Sequence, residues 1–168
     1  KMEKGLDTGD MMHTVKTPIT STDNLETIHD RLADISGDAL LTVMEQLENG
    51  CATYTKQNDE IATYAEKILK NDEIIDFSRS AFEIDCQIRA LTPFPYAYCT
   101  YNDKMLKIIE AHAEKGDVSG KQPGEILSLK GGEIKVACAS DILVITRVFP
   151  ESKRRMNALD FVNGSKIK

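Results

Sequence analysis

The first feature of the sequence that could do chemistry is a loop near its start, which runs from Gly5 to Asp10. Its two glycines and two aspartates favour a tight bend that leaves backbone amides exposed. The carboxylate of Asp7 is a hydrogen-bond acceptor, and a carboxylate held beside an imidazole can stabilise the imidazolium. Judged on the residues alone, the commoner interpretation is that Asp7 is a turn residue that satisfies its own backbone. Asp10 is predicted to be structural.

The second candidate is the run of three cations at Lys153, Arg154 and Arg155. The whole chain has a formal net charge of −6, which argues against a general nucleic-acid binder. The charge is uneven, however, because residues 1–60 carry five basic and twelve acidic side chains, whereas residues 147–168 carry six basic and two acidic. Adjacent cations can neutralise phosphates, although an exposed polar loop is the commonest explanation of so short a run.

The cysteines and histidines give no metal-binding or disulfide pattern. The four cysteines include no C-x-x-C pair and the three histidines are scattered, which predicts no metal and suits a reducing cytoplasm. No apolar run approaches membrane-spanning length, and no signal peptide is visible. The first residues therefore read like an interior segment of a longer chain.

Residues 1–50 predict the end of an α/β, Rossmann-like domain. Residues 11–19 are predicted to form a strand, and a helix capped by Thr22 or Asp23 follows. One face of that helix forms an apolar stripe, with apolar residues at three- and four-residue spacing: Leu25, Ile28, Leu32 and Ile35. Ser36 and Gly37 are predicted to separate it from a second helix that ends at Gly50. Since one strand cannot form a sheet, its partner strands are expected outside this chain.

The middle of the chain predicts an interdomain linker at residues 51–73, with a helical turn near residues 64–67. A short strand is predicted at residues 74–77. Ser80 and Glu83 have the spacing of a capping box, in which each side chain satisfies the other's backbone amide. The helix that follows is predicted to bury Ile84, Ile88 and Leu91 and to end before Pro93.

Residues 74–168 predict a small oligonucleotide-binding-type (OB-like) β-barrel with an inserted helix, which makes the fold class α+β. The predicted strands are short and separated by turn residues: 96–101, 105–113, 125–130, 133–138 and 142–149. A short helix is predicted from Asn157 to Val162. Beside Pro93 and Pro95, Phe94 and Tyr96 could stack on bases, but the two prolines favour core packing.

Several of these segments, taken together, resemble methionyl-tRNA formyltransferases. The matching motifs are Gly-Leu-Asp-Thr-Gly-Asp-Met (5–11), Thr-Tyr-Ala-Glu-Lys-Ile (63–68), Ile-Arg-Ala-Leu-Thr-Pro-Phe-Pro (88–95), Pro-Gly-Glu-Ile-Leu (123–127) and Lys-Arg-Arg-Met-Asn-Ala-Leu-Asp-Phe (153–161). They occur in the family's order and cover essentially the whole chain. The family's Asn-x-His-x-Ser motif has no match here, so the resemblance identifies the C-terminal half of such an enzyme, broken within its catalytic domain.

The resemblance implies transfer of a formyl group from 10-formyltetrahydrofolate to the amino group of methionyl-initiator-tRNA, in translation initiation. It implies a cytoplasmic, monomeric enzyme without a metal. Asp7 would occupy the catalytic carboxylate position, within a folate-binding loop formed by Leu6, Asp7, Thr8 and Gly9. The tRNA-binding residues would be Lys67, Lys70, Lys153, Arg154 and Arg155, although Lys70 reads equally well as a solvated lysine. The fragment alone is expected to be catalytically incomplete.

Two alternatives remain open at this point. The first is the hydrolase domain of a formyltetrahydrofolate dehydrogenase, which shares the Gly-Leu-Asp-Thr-Gly element but would not need the basic tail. The second is a non-enzymatic RNA-binding module of the barrel type, which would account for residues 74–168 but gives the acidic residues 1–50 no purpose.

Overall fold

The computed structural model describes residues 2–165. They form two compact units that divide between Lys67 and Ile68. In the first unit the main element is one long helix, α1 (Leu25–Glu48), and a short 3₁₀ helix follows it at Asp59–Ile61. The predicted division into residues 1–50, 51–73 and 74–168 stays a prediction.

The helix α1 begins with a capping box, but not at the predicted residues. Asn24 is the N-cap: its side chain accepts a hydrogen bond from the Thr27 amide at 2.9 Å, and the Thr27 hydroxyl accepts one from the Asn24 amide at 3.0 Å. The predicted caps, Thr22 and Asp23, lie outside the helix. Asp23 is buried, and its carboxylate instead binds the Arg31 guanidinium further along the helix.

Two further predictions for the first unit are wrong. The break at Gly37 does not occur, because an internal glycine costs only about 1 kcal/mol relative to alanine and still donates its backbone hydrogen bond. The strand at residues 11–19 is reduced to one antiparallel bridge between Met11 and Thr55, with both backbone hydrogen bonds below 3.0 Å. A strand needs a neighbour along its length, and within the described residues only Met11 has one.

The second unit begins with a 3₁₀ helix at Lys70–Glu73 and continues to helix α2 (Ala81–Ala90). The predicted capping box of α2 is confirmed: the Ser80 hydroxyl accepts from the Glu83 amide at 3.2 Å, and the Glu83 carboxylate accepts from the Ser80 amide at 3.1 Å. The Ser80 hydroxyl and the Ser80 amide both donate to the Glu83 carboxylate, and these two hydrogen bonds lower the pKa of Glu83. The predicted helical turn at residues 64–67 is absent, and the two 3₁₀ helices flank that segment instead.

A six-stranded antiparallel sheet makes up most of the second unit. Its strands are β1 (Tyr98–Tyr101), β2 (Lys104–Glu114), β3 (Ile126–Ser128), β4 (Ile134–Ala137), β5 (Ile142–Pro150) and β6 (Met156–Asn157). The strand order is β1-β2-β5-β4-β3, and β6 pairs with β5. The long central pair, β2 and β5, contains irregularities near Glu110, which increase local twist and bend the sheet. The last helix, α3 (Ala158–Ser165), follows β6 directly.

The sheet agrees with the α+β prediction, while three details of the predicted barrel are corrected. The pairing order ends at β1 and β3, which describes a curled half-barrel rather than a closed one. The predicted strand at residues 74–77 makes only a single bridge from Ile74 to Tyr98, so α2 precedes the sheet and is not inserted in it. The helix predicted at residues 157–162 starts one residue later and continues through Gly164, and β6 was not predicted.

The core of the second unit lies between α2 and one face of the sheet. Five of its side chains are almost fully buried: Ile84, Ile88, Ile108, Leu143 and Val148. Ile108 lies on β2, and Leu143 and Val148 lie on β5. Ile84 and Ile88 lie four residues apart on one face of α2, as predicted from the apolar spacing. By contrast, no residue of α1 is buried, and Leu25, Leu32 and Leu40 are each at least 45% exposed.

Candidate functional site

The loop at residues 5–9 is held by one side chain from the far end of its unit. The side-chain amide of Gln57 donates to the backbone carbonyls of Asp7 at 2.8 Å and Gly9 at 2.7 Å. Gly5 allows the bend to close, because a Cβ at that position would lie 2.7 Å from the Thr8 hydroxyl oxygen. The conformation of the loop is therefore stabilised by a residue about fifty positions away in sequence.

Asp7 is at the apex of this loop, with a positive φ of 54° that aspartate tolerates better than most residues. Its backbone carbonyl is bound by Gln57, but its carboxylate has no hydrogen bond or ion pair within residues 2–165. The geometry therefore does not use the carboxylate to satisfy the turn. An open cavity of about 470 Å³ is lined by residues 2–9, and the exposed Leu6 contributes an apolar surface beside Asp7.

An ion pair between the buried Asp23 carboxylate and the partly exposed Arg31 fixes the segment between this loop and α1. Asp23 accepts two hydrogen bonds from the Arg31 guanidinium, at 2.5 and 3.1 Å, and one from the Thr20 amide at 2.7 Å. Arg31 also donates to the Pro18 carbonyl at 2.8 Å. The Arg31 guanidinium, helped by the Thr20 amide, holds the pKa of Asp23 well below its usual range. The two residues thus anchor residues 18–23 onto the first two turns of the helix.

The second unit carries a basic surface formed by Arg147, Arg154 and Arg155, which we call the arginine surface. These three residues line an open cavity of about 560 Å³ together with Met156, Asn157 and Asp160. The short pairing of β5 with β6 places Arg147 directly opposite Asn157 and so brings the arginines together. The three arginines differ in what they already contact. Arg147 donates to the Glu110 carboxylate at 2.6 Å, whereas Arg154 is exposed and has no ion pair within the described residues.

Arg155 is held against aromatic rings. Its guanidinium lies 5.3 Å from the centre of the Tyr96 ring and 5.9 Å from that of Phe149. Lys107 also faces the Tyr96 ring, at 5.9 Å, and donates to the Pro95 carbonyl at 3.1 Å. A cation over the face of an aromatic ring is attracted to its negative quadrupole. Arg155 is therefore positioned by the Tyr96 and Phe149 rings, while Arg154 extends into solvent.

The remaining predicted tRNA-binding residues lie in other places. Lys153 lines a different cavity from Arg154 and Arg155, so the run of three cations serves two sites. Lys70 pairs with the buried carboxylate of Glu73 at 3.2 Å, which engages its charge within its own 3₁₀ helix. Lys67 is exposed at the end of the first unit.

Phe94 does not lie where it was predicted, and three residues at the two candidate sites were not predicted. Phe94 was expected in the core but is 76% exposed, because it lies in the turn that contains Pro93 and Pro95. Tyr96 is buried, as expected. Gln57, Lys107 and Arg147 were not predicted as site residues. Only Arg147 had a signal, since it begins the basic stretch at residues 147–168.

Other parts of the described structure add no second reactive centre. Within residues 2–165 no group of three or more His, Cys, Asp or Glu side chains is arranged to hold a metal ion. All four cysteines are free, and burial raises the pKa of the Cys99 and Cys138 thiols to about 11. None of the helices in this part of the chain is long and apolar enough to span a membrane.

An antiparallel α+β domain with this basic, aromatic surface has relatives among known proteins. The model of the formyl transferase C-terminal domain matches residues 67–166. The methionyl-tRNA formyltransferase of Citrifermentans bemidjiense is 39% identical over 166 residues, which are 99% of this chain and 51% of that protein. The corresponding enzyme of Pseudoalteromonas translucida is 37% identical over 98% of this chain and 51% of its own length.

Solved structures share the fold at much lower identity. An N-formyltransferase from Helicobacter canadensis, in complex with folinic acid and dTDP-3-aminofucose, aligns with a TM-score of 0.68 at 17% identity, over 88% of this chain and 53% of that one. HypX from Aquifex aeolicus, in complex with tetrahydrofolic acid, aligns with a TM-score of 0.65 at 17% identity, over 95% of this chain and 28% of its own.

The chain belongs to the formyl transferase family, in which residues 67–166 form the C-terminal domain. The predicted resemblance to methionyl-tRNA formyltransferases is confirmed by the curated relatives. The chain spans about half the length of the curated relatives it matches.

Proposed function

We propose that this chain supplies the folate-facing loop and the tRNA-binding surface of a methionyl-tRNA formyltransferase. The observation that carries the proposal is the identity to curated enzymes of that name, 39% and 37% over almost the whole chain. The reaction would transfer a formyl group from 10-formyltetrahydrofolate to the amino group of methionyl-initiator-tRNA. In this proposal the protein acts in the cytoplasm, as a monomer and without a metal.

Asp7 is the residue of this chain that we place in the chemistry. Formyl transfer requires a deprotonated amine, a stabilised oxyanion and a proton delivered to the leaving nitrogen. A carboxylate contributes by orienting a histidine and stabilising its protonated form. The apex position of Asp7, with its carboxylate unbound by the described residues, suits that role. Leu6, Thr8 and Gly9 would present backbone amides and an apolar side chain to the folate ring.

The arginine surface is our candidate for the tRNA contact, with Arg154 as its most available cation. Phosphate neutralisation by arginine and lysine supplies most sequence-independent affinity for nucleic acid. Arginine also binds phosphate through two parallel hydrogen bonds, which lysine cannot make. Lys67, Lys70 and Lys153 would add further positive charge, although Lys70 already neutralises Glu73.

The test of this function is a fusion enzyme. The half of the Citrifermentans bemidjiense relative that this chain does not match would be joined to this chain, and formyl-methionyl-tRNA would be measured with 10-formyltetrahydrofolate as donor. We expect product with the fusion. Asp7→Asn should lower turnover by about two orders of magnitude or more, because the amide keeps the size of the side chain but loses its charge.

Asp38→Asn is the matched control, because Asp38 is an exposed aspartate in the same unit, away from the loop. Its turnover should equal that of the parent fusion. A near-normal rate for Asp7→Asn would return Asp7 to the role of a turn residue. Release of formate from the folate without formylated tRNA would favour the hydrolase alternative.

A further inference from the structure

A second cavity in the C-terminal unit lies between the β1–β2 turn, the loop after β5 and helix α3. Its volume is about 260 Å³. Its two rims are tied together by Met105 and Glu151: the Glu151 amide donates to the Met105 carbonyl at 3.0 Å, and the Met105 amide donates to the Glu151 carboxylate at 3.3 Å. The cavity is thus formed by parts of the fold that are fixed to each other.

The lining of this cavity combines an aromatic wall with free cations. Tyr101 and Phe161 meet edge to face with their ring centres 5.8 Å apart, and Phe161 is buried while Tyr101 remains half-exposed. Lys104 and Lys153 lie on opposite rims, and neither ammonium group has an ion pair within the described residues. With Glu151, the charged residues of the lining sum to a positive charge, so the cavity favours an anion.

The aromatic, basic and acidic residues of the lining each match one part of a nucleotide. The exposed portion of the Tyr101 ring offers a surface for a planar base, as aromatic side chains do in single-strand binding proteins. The two lysines can neutralise a phosphate. The Glu151 carboxylate is acceptor-only when ionised, and it can accept from an exocyclic amino group in addition to the Met105 amide. The cavity is smaller than the roughly 300–1,000 Å³ typical of sites for drug-sized ligands, and this size suits one base better than two.

We propose that this cavity is a binding site for a single nucleotide whose base carries an exocyclic amino group. The phosphate lies between Lys104 and Lys153, the base lies against Tyr101, and Glu151 accepts from the amino group. The occupant is a free mononucleotide or an unpaired nucleotide of an RNA strand, which present the same chemistry. The site is separate from the arginine surface and does not depend on the proposed formyl transfer.

The test uses the whole 168-residue chain and a matched pair of ligands. Cytidine 5′-monophosphate and uridine 5′-monophosphate differ in the group at C4, which is an amino group in the first and a carbonyl in the second. Binding would be followed by shifts of the backbone amide resonances of residues 101–106 and 151–153 in two-dimensional NMR. Cytidine and inorganic phosphate alone would report the base and the phosphate contributions separately.

We expect cytidine monophosphate to bind more tightly than uridine monophosphate, cytidine or phosphate. Lys104→Gln and Lys153→Gln should weaken the binding of the monophosphate but not that of cytidine, and Tyr101→Leu should weaken both, by about fivefold or more if the base stacks. Lys130→Gln, an exposed lysine in the β3–β4 turn, is the control and should leave binding unchanged. Unchanged amide spectra of each variant, away from the substitution, would establish that it folds.

A second experiment distinguishes a free nucleotide from an RNA strand. It measures the binding of a single-stranded tetracytidylate and of the same strand in a duplex. Tighter binding of the single strand than of the monophosphate assigns the site to RNA, and equal binding assigns it to a free nucleotide. Absence of monophosphate binding, or binding that Lys104→Gln, Lys153→Gln and Tyr101→Leu all leave unchanged, overturns the proposal. Those results would leave tRNA binding by the arginine surface intact, so the two proposals fail separately.

Discussion

Arg154 and Arg155 are neighbours in sequence, but their contacts predict that Arg155 contributes to stability and that Arg154 contributes to RNA binding. Arg155 lies over the Tyr96 and Phe149 rings, at 5.3 and 5.9 Å. A cation–π interaction at an exposed site contributes about 0.5–1 kcal/mol, so removing both should lower the free energy of unfolding by roughly 1–2 kcal/mol. Arg154 has no such interaction among the described residues, and Arg154→Ala should change stability by less than about 0.5 kcal/mol.

The effect on RNA binding should follow the opposite order. Arg154 is free to bind a phosphate, and removing one neutralised phosphate from the complex should flatten the log–log dependence of affinity on salt by about 0.9. Arg154→Ala should therefore weaken tRNA binding at low salt more than Arg155→Lys, which keeps a charge near the rings. Initiator and elongator tRNAs should be affected by similar factors, because phosphates carry no base identity.

Two assays separate these effects. Urea unfolding, followed by circular dichroism, measures the stability of each variant. Fluorescence anisotropy with both tRNAs at several salt concentrations measures affinity and its salt slope. An unchanged slope for Arg154→Ala would mean that this residue is a solvated loop cation. A selective loss of initiator tRNA binding would mean that the surface recognises base identity or acceptor-end structure. An Arg155→Ala variant as stable as the parent chain would refute the structural role of the contacts with the two aromatic rings.

Three further predictions follow from other parts of the molecule. The Asp23–Arg31 pair should make the first unit sensitive to acid: the folded-state pKa of Asp23 is lowered, so its stabilisation is present above the ordinary pKa of about 3.9 and declines as pH falls from about 5. Circular dichroism should show helix loss in this range for the parent chain, with a weaker pH dependence for Arg31→Gln; equal curves would contradict the ion-pair argument. Ile84→Ala should destabilise the second unit by about 2–5 kcal/mol in urea unfolding, because Ile84 is fully buried, whereas Phe82→Ala at an exposed position on the same helix should cost far less. The 168-residue chain alone should formylate methionyl-tRNA no faster than buffer, because the family's Asn-x-His-x-Ser motif has no match in it. Formylation clearly above that background would show that these residues suffice.

The local features of the sequence predicted the local features of the fold. The capping box at Ser80 and the apolar spacing of Ile84 and Ile88 act over a few residues, and both form as predicted. Strands were also predicted at residues 105–113 and 142–149, close to the observed bounds of β2 and β5. The same local patterns indicated the loop at residues 5–9 and the basic run at residues 153–155 as candidates for function.

What the sequence did not determine depends on contacts between distant residues. A strand at residues 11–19 requires a neighbour, and only the pairing of Met11 with Thr55 decides how much of it forms. Gln57 reaches the loop at Asp7, and Lys107 and Arg155 meet at Tyr96, although nothing local in the sequence links them. The tertiary structure also separates Lys153 from Arg154 and Arg155, because the turn after β5 directs neighbouring side chains to two cavities. Side-chain type and spacing act along the chain, whereas a binding surface depends on which strands the fold places side by side.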